Sequence, residues 1–348
     1  MAPALAYAPS ARLQAFGRLG GRVVTAARLA GLAGAIVLSG LVFTLINPNF
    51  LTTLNMLGLF RSMSVLGIIA IGELFVLVTG ELDLSVGAVY GLGAMTLGVL
   101  WVRGVPLGLA LVIALGVGAT AGIVNGFFTT VVGIPSFVVS LGLLNFAQGL
   151  TLLISGARAV YPAYAQPPVD GGELSVFNAM GSATLPGSVP VQIAWLVGIA
   201  LAAALLLQPS RFGFRLKAIG DNLEAARRVG LRTRRYKFGA FVICGVLAAL
   251  GGILDFSFIG STEPSAGLTL TFPVFAAVII GGASLSGGRG TVVGTLSGAL
   301  LLALLVNGLT LIGVGTYAQL LFVGVITVGA VTLDRLSGQL PSSQEGRA

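Results

Sequence analysis

The 348-residue chain carries 19 Lys and Arg against 11 Asp and Glu, a formal net charge of +8, with 56% hydrophobic and only 9% charged residues. Soluble domains carry about 25% charged residues, so a mean hydropathy of +1.01 marks an all-α polytopic membrane protein and leaves no soluble domain of useful size. The absence of histidine removes Ser-His-Asp catalysis, His proton relays and His metal ligands. The single Cys244 allows no internal disulfide, so no catalytic, metal or cofactor site is expected.

Residues 1–28 hold Arg12, Arg18, Arg22 and Arg28 and no acid. They resemble a signal-peptide n-region, but the apolar run Leu29 to Ile46 lacks a small-residue cleavage site. The expectation is a cytoplasmic tail at 1–28 and a retained first helix. A spanning helix needs about 20 apolar residues, and further segments fall near 58–79, 84–101, 107–129, 134–155, 191–208, 236–258, 271–286, 290–312 and 315–333. About ten transmembrane helices within a membrane domain at 29–335 put both termini in the cytoplasm, with a polar tail at 336–348. Sixteen of the nineteen Lys and Arg then lie inside; only Arg61, Arg103 and Arg158 do not. Cytoplasmic loops collect Lys and Arg, so the net charge is read as orientation, and no nucleic-acid partner is expected. The segment 156–189, broken by Pro162, Pro167, Pro168 and Pro186 and carrying Asp170 and Glu173, is an outside loop. It reads as a cap, a docking surface or a plain connector.

Nine of the nineteen Lys and Arg crowd into Arg211 to Lys237, within an inside loop at 209–237. Asp221 and Glu224 stand at capping-box spacing, Glu224 and Arg228 form an i,i+4 pair, and Gly230 sits where a helix C′ residue belongs. A two-turn helix from about Asn222 to Val229 follows, either as a partner-docking element or as part of a solvated basic connector.

Three polar interruptions remain. Gly80-Glu81-Leu82-Asp83-Leu84-Ser85-Val86-Gly87 places two carboxylates at an inside turn, where Asp83 either caps the helix starting at Leu84 or meets solute. Gly281-Gly282-Ala283-Ser284-Leu285-Ser286-Gly287-Gly288-Arg289-Gly290 has no phosphate-loop lysine and suits a tight turn. Gly80, Leu84, Ser85, Gly87 and Gly93 recur 201 residues later as Gly281, Leu285, Ser286, Gly288 and Gly294, which hints at duplicated halves. Uncharged polar residues within spans are Asn125, Ser140, Asn145, Gln148, Thr151, Asn307 and Thr310. They serve as packing glue or line a path for a neutral, hydroxylated solute; of these, Asn125, Ser140, Asn145, Gln148 and Asn307 are the translocation candidates. Glu73 and Asp255 are the carboxylates inside apolar runs, and a proton-driven carrier would use them.

Four stretches in this order resemble the membrane permeases of bacterial ABC importers for ribose, xylose, galactose and related sugars. They are Gly80 to Gly87; Asn125-Gly126 with Ile134-Pro135-Ser136-Phe137-Val138-Val139-Ser140-Leu141-Gly142; Arg211-Phe212-Gly213 through Ala218-Ile219-Gly220 and Asn222 to Gly230; and Ala276 to Gly290 with Asn307-Gly308. The resemblance spans about Leu51 to Leu333. It implies some ten helices in the bacterial inner membrane, a cytoplasmic ATP-binding-cassette ATPase, a periplasmic solute-binding protein, a second permease copy or paralogue, and a sugar substrate. On the same resemblance Asp221, Asn222, Glu224, Ala225, Ala226, Arg227 and Gly230 belong to an ATPase-coupling helix. Gly80, Asp83, Ser85, Gly87, Gly281, Gly282, Gly287 and Gly288 form structural turns. Two departures stand out: Glu81 replaces a glycine common in the first motif, and Thr271-Phe272-Pro273 stands where the family often has an acidic stretch. The expected function is therefore the translocation subunit of a monosaccharide importer, not an enzyme. The alternatives are an ABC permease for a nucleoside or other small polar solute, an ion-coupled secondary transporter, and a receptor without transport.

Overall fold

The computed structural model describes residues 11–339, with side chains from 29 to 332. Of the expected tails, residues 1–10 and 340–348 lie outside the described residues. The helices in chain order are α1 (Ala11–Ile46), α2 (Thr53–Val78), α3 (Val86–Val102), α4 (Leu107–Phe127), α5 (Ser136–Ser155), α6 (Gly171–Ser182), α7 (Val191–Leu207), α8 (Arg211–Asp221), α9 (Leu223–Arg228), α10 (Thr233–Ile259), α11 (Thr271–Ile280), α12 (Val292–Leu311) and α13 (Thr316–Gln339). A π-helical turn, Phe128–Val132, extends α4, and Gly133 in the left-handed region ends it. The antiparallel pair β1 (Thr184–Leu185) and β2 (Val189–Pro190) follows α6. The first helix starts at Ala11, well before the expected Leu29.

Among the described residues, six helices are long and apolar enough to cross a membrane: Leu29–Ile46 of α1, α2, α4 with its extension, α5, α10 and α12. A seventh arises if α7 and α8, bent by 70°, are taken together; α3, α11 and Thr316–Thr332 of α13 are shorter apolar helices. The segment expected to span 271–286 is helical only for Thr271–Ile280, about 15 Å of rise against ~30 Å of hydrocarbon. Irregular chain at 260–270 precedes it. Such backbone is tolerated at membrane depth only when protein surrounds it or a cavity opens beside it. Here it packs into the bundle: a Cβ on Gly87 would lie 2.3 Å from the Gly267 carbonyl oxygen, and one on Gly91 2.3 Å from that of Ala266.

The centre is built from α2, α3 and α10. Residues Ser64 to Val78 of α2 are buried without interruption, as expected of a helix that is apolar on every side. Helix α10 lies against α2, α3 and α4; outside this core, α1 packs on α12, α5 on α3, α7 on α2 and α13 on α11.

The connections sort into two ends. At one end Leu82 N donates to Ser136 Oγ (3.1 Å), Gly288 N donates to the Val78 carbonyl (2.9 Å) and Lys237 pairs with Glu81 (2.6 Å). This gathers the turns after α2, α4, α8–α9 and α11. At the other, Asn47 Nδ2 donates to Leu311 O (2.9 Å), Glu173 Oε2 accepts from Trp101 Nε1 (2.8 Å), and Val160 and Thr262 form a β-bridge. Segment 156–189 folds as a cap at this second end, with no sequence signal for its helix beyond Asp170, whose carboxylate caps α6 by accepting from Glu173 N (2.9 Å). The Phe177 ring, fully buried, wedges between Trp101 and Phe256 at centroid distances of 5.0 and 4.8 Å.

Candidate functional site

The basic loop folds as two short helices lying across the first end of the bundle. Ser210 caps α8, its Oγ accepting from Gly213 N (3.0 Å). Helix α8 buries Gly213, Leu216 and Ile219, one face at helical spacing. Partial burial also lowers the pKa of its Lys217 by desolvation. The side chain that caps α9 is Asn222 and not Asp221: Asn222 Oδ1 accepts from Ala225 N (2.9 Å), while Asp221 is the last residue of α8. A cap residue needs extended backbone, and Asn222 supplies it with φ −152°. The expected Glu224–Arg228 pair forms at 2.5 Å, and Gly230 takes φ +77° just past the helix. Ala226 is the buried anchor of α9. Asp221, Asn222, Glu224, Ala225, Arg227, Arg228 and Val229 face outward, Val229 being 75% exposed. The loop therefore offers a free surface on a firmly seated base.

The seat is a three-way backbone junction. A Cβ on Gly220 would stand 1.9 Å from the Val78 carbonyl oxygen and 2.4 Å from Gly288 N. Gly287 and Gly288, both at positive φ, approach Gly220 Cα at 2.8 Å and Asp221 Cα at 2.9 Å on the same construction. Gly80 (φ +78°) closes the group beside Ser286 and Gly287. The two glycine turns related by 201 residues thus touch each other and the end of α8 at one point. The backbone at the end of α8 thus lies directly against the end of α2 and the turn between α11 and α12.

Behind the junction lies a buried polar cluster. Asp83 does not cap a helix at Leu84: α3 starts at Val86. Its Oδ1 accepts from Ser85 N (3.0 Å), Ser85 Oγ (2.5 Å) and Asn125 Nδ2 (3.0 Å), so it folds the turn back onto α4. Asp83 N donates to Glu73 Oε1 (3.3 Å), and Cys244 Sγ donates to Glu73 Oε2 (3.6 Å). Glu81, the residue that departs from the common glycine, pairs with Lys237 at the foot of α10. Neither that pairing nor the Glu73–Asp83 contact carries a sequence signal.

The remaining translocation candidates do not gather. Ser140 Oγ donates to Phe137 O (3.3 Å), Asn145 Nδ2 to Leu141 O (3.1 Å) and Gln148 Nε2 to Pro264 O (3.0 Å), all from α5. Asn307 and Asn55 exchange amide hydrogen bonds of 2.9 Å between α12 and α2. Gly281 sits against Gly294 at the start of α12, Gly282 has φ +91°, and Gly87 lies under segment 260–270.

A multi-pass helical bundle with a seated, outward-facing helical loop at one end defines the class of membrane permease subunits. The chain belongs to the family described as "Branched-chain amino acid transport system / permease component", whose pattern matches residues 55–331. It is 36% identical to the ribose import permease protein RbsC of Bacillus subtilis (strain 168), over 85% of this chain and 89% of that protein. It is 34% identical to RbsC of Escherichia coli (strain K12), over 87% and 92%. To the D-allose transport system permease protein AlsC of Escherichia coli (strain K12) it is 32% identical, over 85% and 88%. Among solved structures, a protein assigned to the metal-chelate type ABC transporters, in an inward-facing conformation, superposes with a TM-score of 0.50 at 15% identity, over 89% of this chain and 98% of that one. That likeness concerns the fold.

Proposed function

We propose that this chain is the translocation subunit of a bacterial inner-membrane ABC importer for a monosaccharide. The observation that carries the coupling half of the proposal is the glycine junction under α8–α9. An exposed helix seated through backbone-to-backbone contact on two turns of the bundle suits a partner's push better than a floppy basic connector does. A cytoplasmic ATPase engages Asp221, Asn222, Glu224, Ala225, Arg227 and Gly230, and its closure shifts α8 against α2 and α11–α12 as a rigid body. ATP hydrolysis resides in that partner.

The sugar comes from the relatives, whose names specify ribose and allose. The proposed topology has ten membrane-crossing segments, with both termini and the 209–237 loop in the cytoplasm and segment 156–189 on the periplasmic face. Two features support it: six long helices, α7 and three shorter apolar helices make up ten, and the turns gather at two ends in the alternation the charges require. A periplasmic binding protein delivers solute at the capped end, and a second permease copy or paralogue completes the path.

Capture of the ATPase tests the coupling surface. Wild-type protein purified by affinity from detergent-solubilised membranes is expected to bring down an ATP-binding-cassette subunit in near-stoichiometric amount. Glu224→Arg, which puts a cation beside Arg228 on a side chain 75% exposed, is expected to lose at least nine-tenths of it without changing the permease's own elution profile. Equal capture by both proteins would move the docking surface elsewhere.

A further inference from the structure

A cavity of about 410 Å³ lies between α2, α3, α10 and the irregular segment 260–270. That volume is within the range of small-molecule sites, roughly 300–1,000 Å³, and no residue of the coupling loop or the glycine junction lines it. Asp255 stands 22 residues beyond the start of α10, about 33 Å along the helix, far from α8–α9 and toward the capped end of the bundle.

Its walls set a few polar side chains among apolar ones. The Tyr90 hydroxyl donates to Asp255 Oδ2, which fixes one oxygen of a carboxylate that lines the space. Ser62 of α2, with Ser261 and Glu263 of the irregular segment, adds hydroxyls and a second carboxylate. Thr262 is only 4% exposed and its Oγ1 is buried, so it backs the wall and does not face the space. The Tyr90 ring is fixed in turn: Cβ atoms built on Gly251, Gly252 and Gly267 would fall 3.6, 3.2 and 2.5 Å from its ring carbons. The same segment is tied to the cap, since Val160 and Thr262 exchange backbone hydrogen bonds of 2.9 and 3.1 Å.

We infer that this cavity is a solute site within a single permease subunit, taking a neutral, polyhydroxylated molecule of monosaccharide size. Asp255 and Glu263 accept hydroxyl hydrogen bonds, Ser62 and Ser261 exchange them, and Tyr90 lines the wall. The helix broken at 260–270 is what opens the site: its irregular backbone forms one wall, and the bridge from Thr262 to Val160 lets whatever docks on the cap move that wall. The inference rests on the importer function proposed above and adds the place where solute pauses.

The test uses the assembled transporter in proteoliposomes with D-ribose and D-allose. Ser261→Cys introduces an accessible thiol at the wall, the native Cys244 being fully buried; either sugar is expected to slow its maleimide labelling at least fivefold. Ser62→Phe, which fills the cavity, is expected to cut uptake at least tenfold, and Asp255→Asn at least fivefold, while binding-protein-stimulated ATP hydrolysis stays within twofold of wild type. If wild type moves sugar, the cysteine is not protected and Ser62→Phe transports at the wild-type rate, the cavity is not the solute site, though the importer function stands. Protection by L-lysine and by neither sugar overturns the neutral-solute assignment. If wild type moves no sugar at all, the substrate proposed above and this site fall together.

Discussion

Gly220→Ala is expected to abolish transport while leaving ATPase capture intact. The added methyl has nowhere to go: its position lies 1.9 Å from the Val78 carbonyl oxygen and 2.4 Å from Gly288 N, both backbone atoms. Either α8 lifts off the end of α2 or the 281–290 turn moves, and overpacking of this kind destabilises by roughly 1–3 kcal/mol. The docking face of α9 begins two residues later and points away, so the partner still binds. Gly313→Ala is the matched control. Its φ of +83° makes alanine strained, but no atom lies within 4 Å of the new Cβ, so the loss is about 1–2 kcal/mol and transport survives. Uptake and co-purification measured on the same preparations separate the two. Loss of uptake in Gly220→Ala alone identifies the junction as the transmitting contact, whereas equal uptake by both variants would remove that role.

Asp83→Ala is expected to give the largest fall in thermal stability of any single side-chain truncation near the turns. Asp83 is 2% exposed, and its Oδ1 accepts from Ser85 N, Ser85 Oγ and Asn125 Nδ2. Each buried donor left unpaired costs about 1–3 kcal/mol, and Asn125 Oδ1 already lacks a partner among the described residues. Asp83→Asn keeps the shape and one acceptor oxygen, so it is expected to recover at least half of the lost unfolding temperature, measured by fluorescence in detergent. If both variants unfold together, the carboxylate serves some purpose other than holding the turn between α2 and α3.

Much of this architecture was legible before any coordinates. The apolar helices followed from hydropathy, because the bilayer permits few alternatives, while the placement of sixteen cations carries the proposed orientation. The helix at Leu223–Arg228 was readable from local chemistry, but its cap was misplaced by one residue: Asp221 and Asn222 are both good caps, and only the extended backbone at Asn222 distinguishes them. Helix α8 was read as loop because its five-residue apolar signal is interleaved with Arg and Lys. The short α11 was hidden as well, since Leu285 continues the apolar character past the point where Gly281 and Gly282 end the helix. What sequence could not reveal was long-range register. Gly80, Gly220 and Gly287 meet across widely separated stretches, and Tyr90 finds Asp255 from 165 residues away. Glycine and a lone aspartate advertise such meetings by nothing in their neighbours.

The central claim is that solute movement through this chain is driven by a partner's ATP hydrolysis. The most direct measurement is sugar uptake into proteoliposomes holding the permease with its ATPase and binding protein, with and without ATP and a protonophore. The expected result is uptake that requires ATP, continues with the protonophore present and disappears in Glu224→Arg. Uptake that collapses with the protonophore and proceeds without the ATPase would contradict it, and would turn attention to Glu73 and Asp255 as the carboxylates of an ion-coupled carrier.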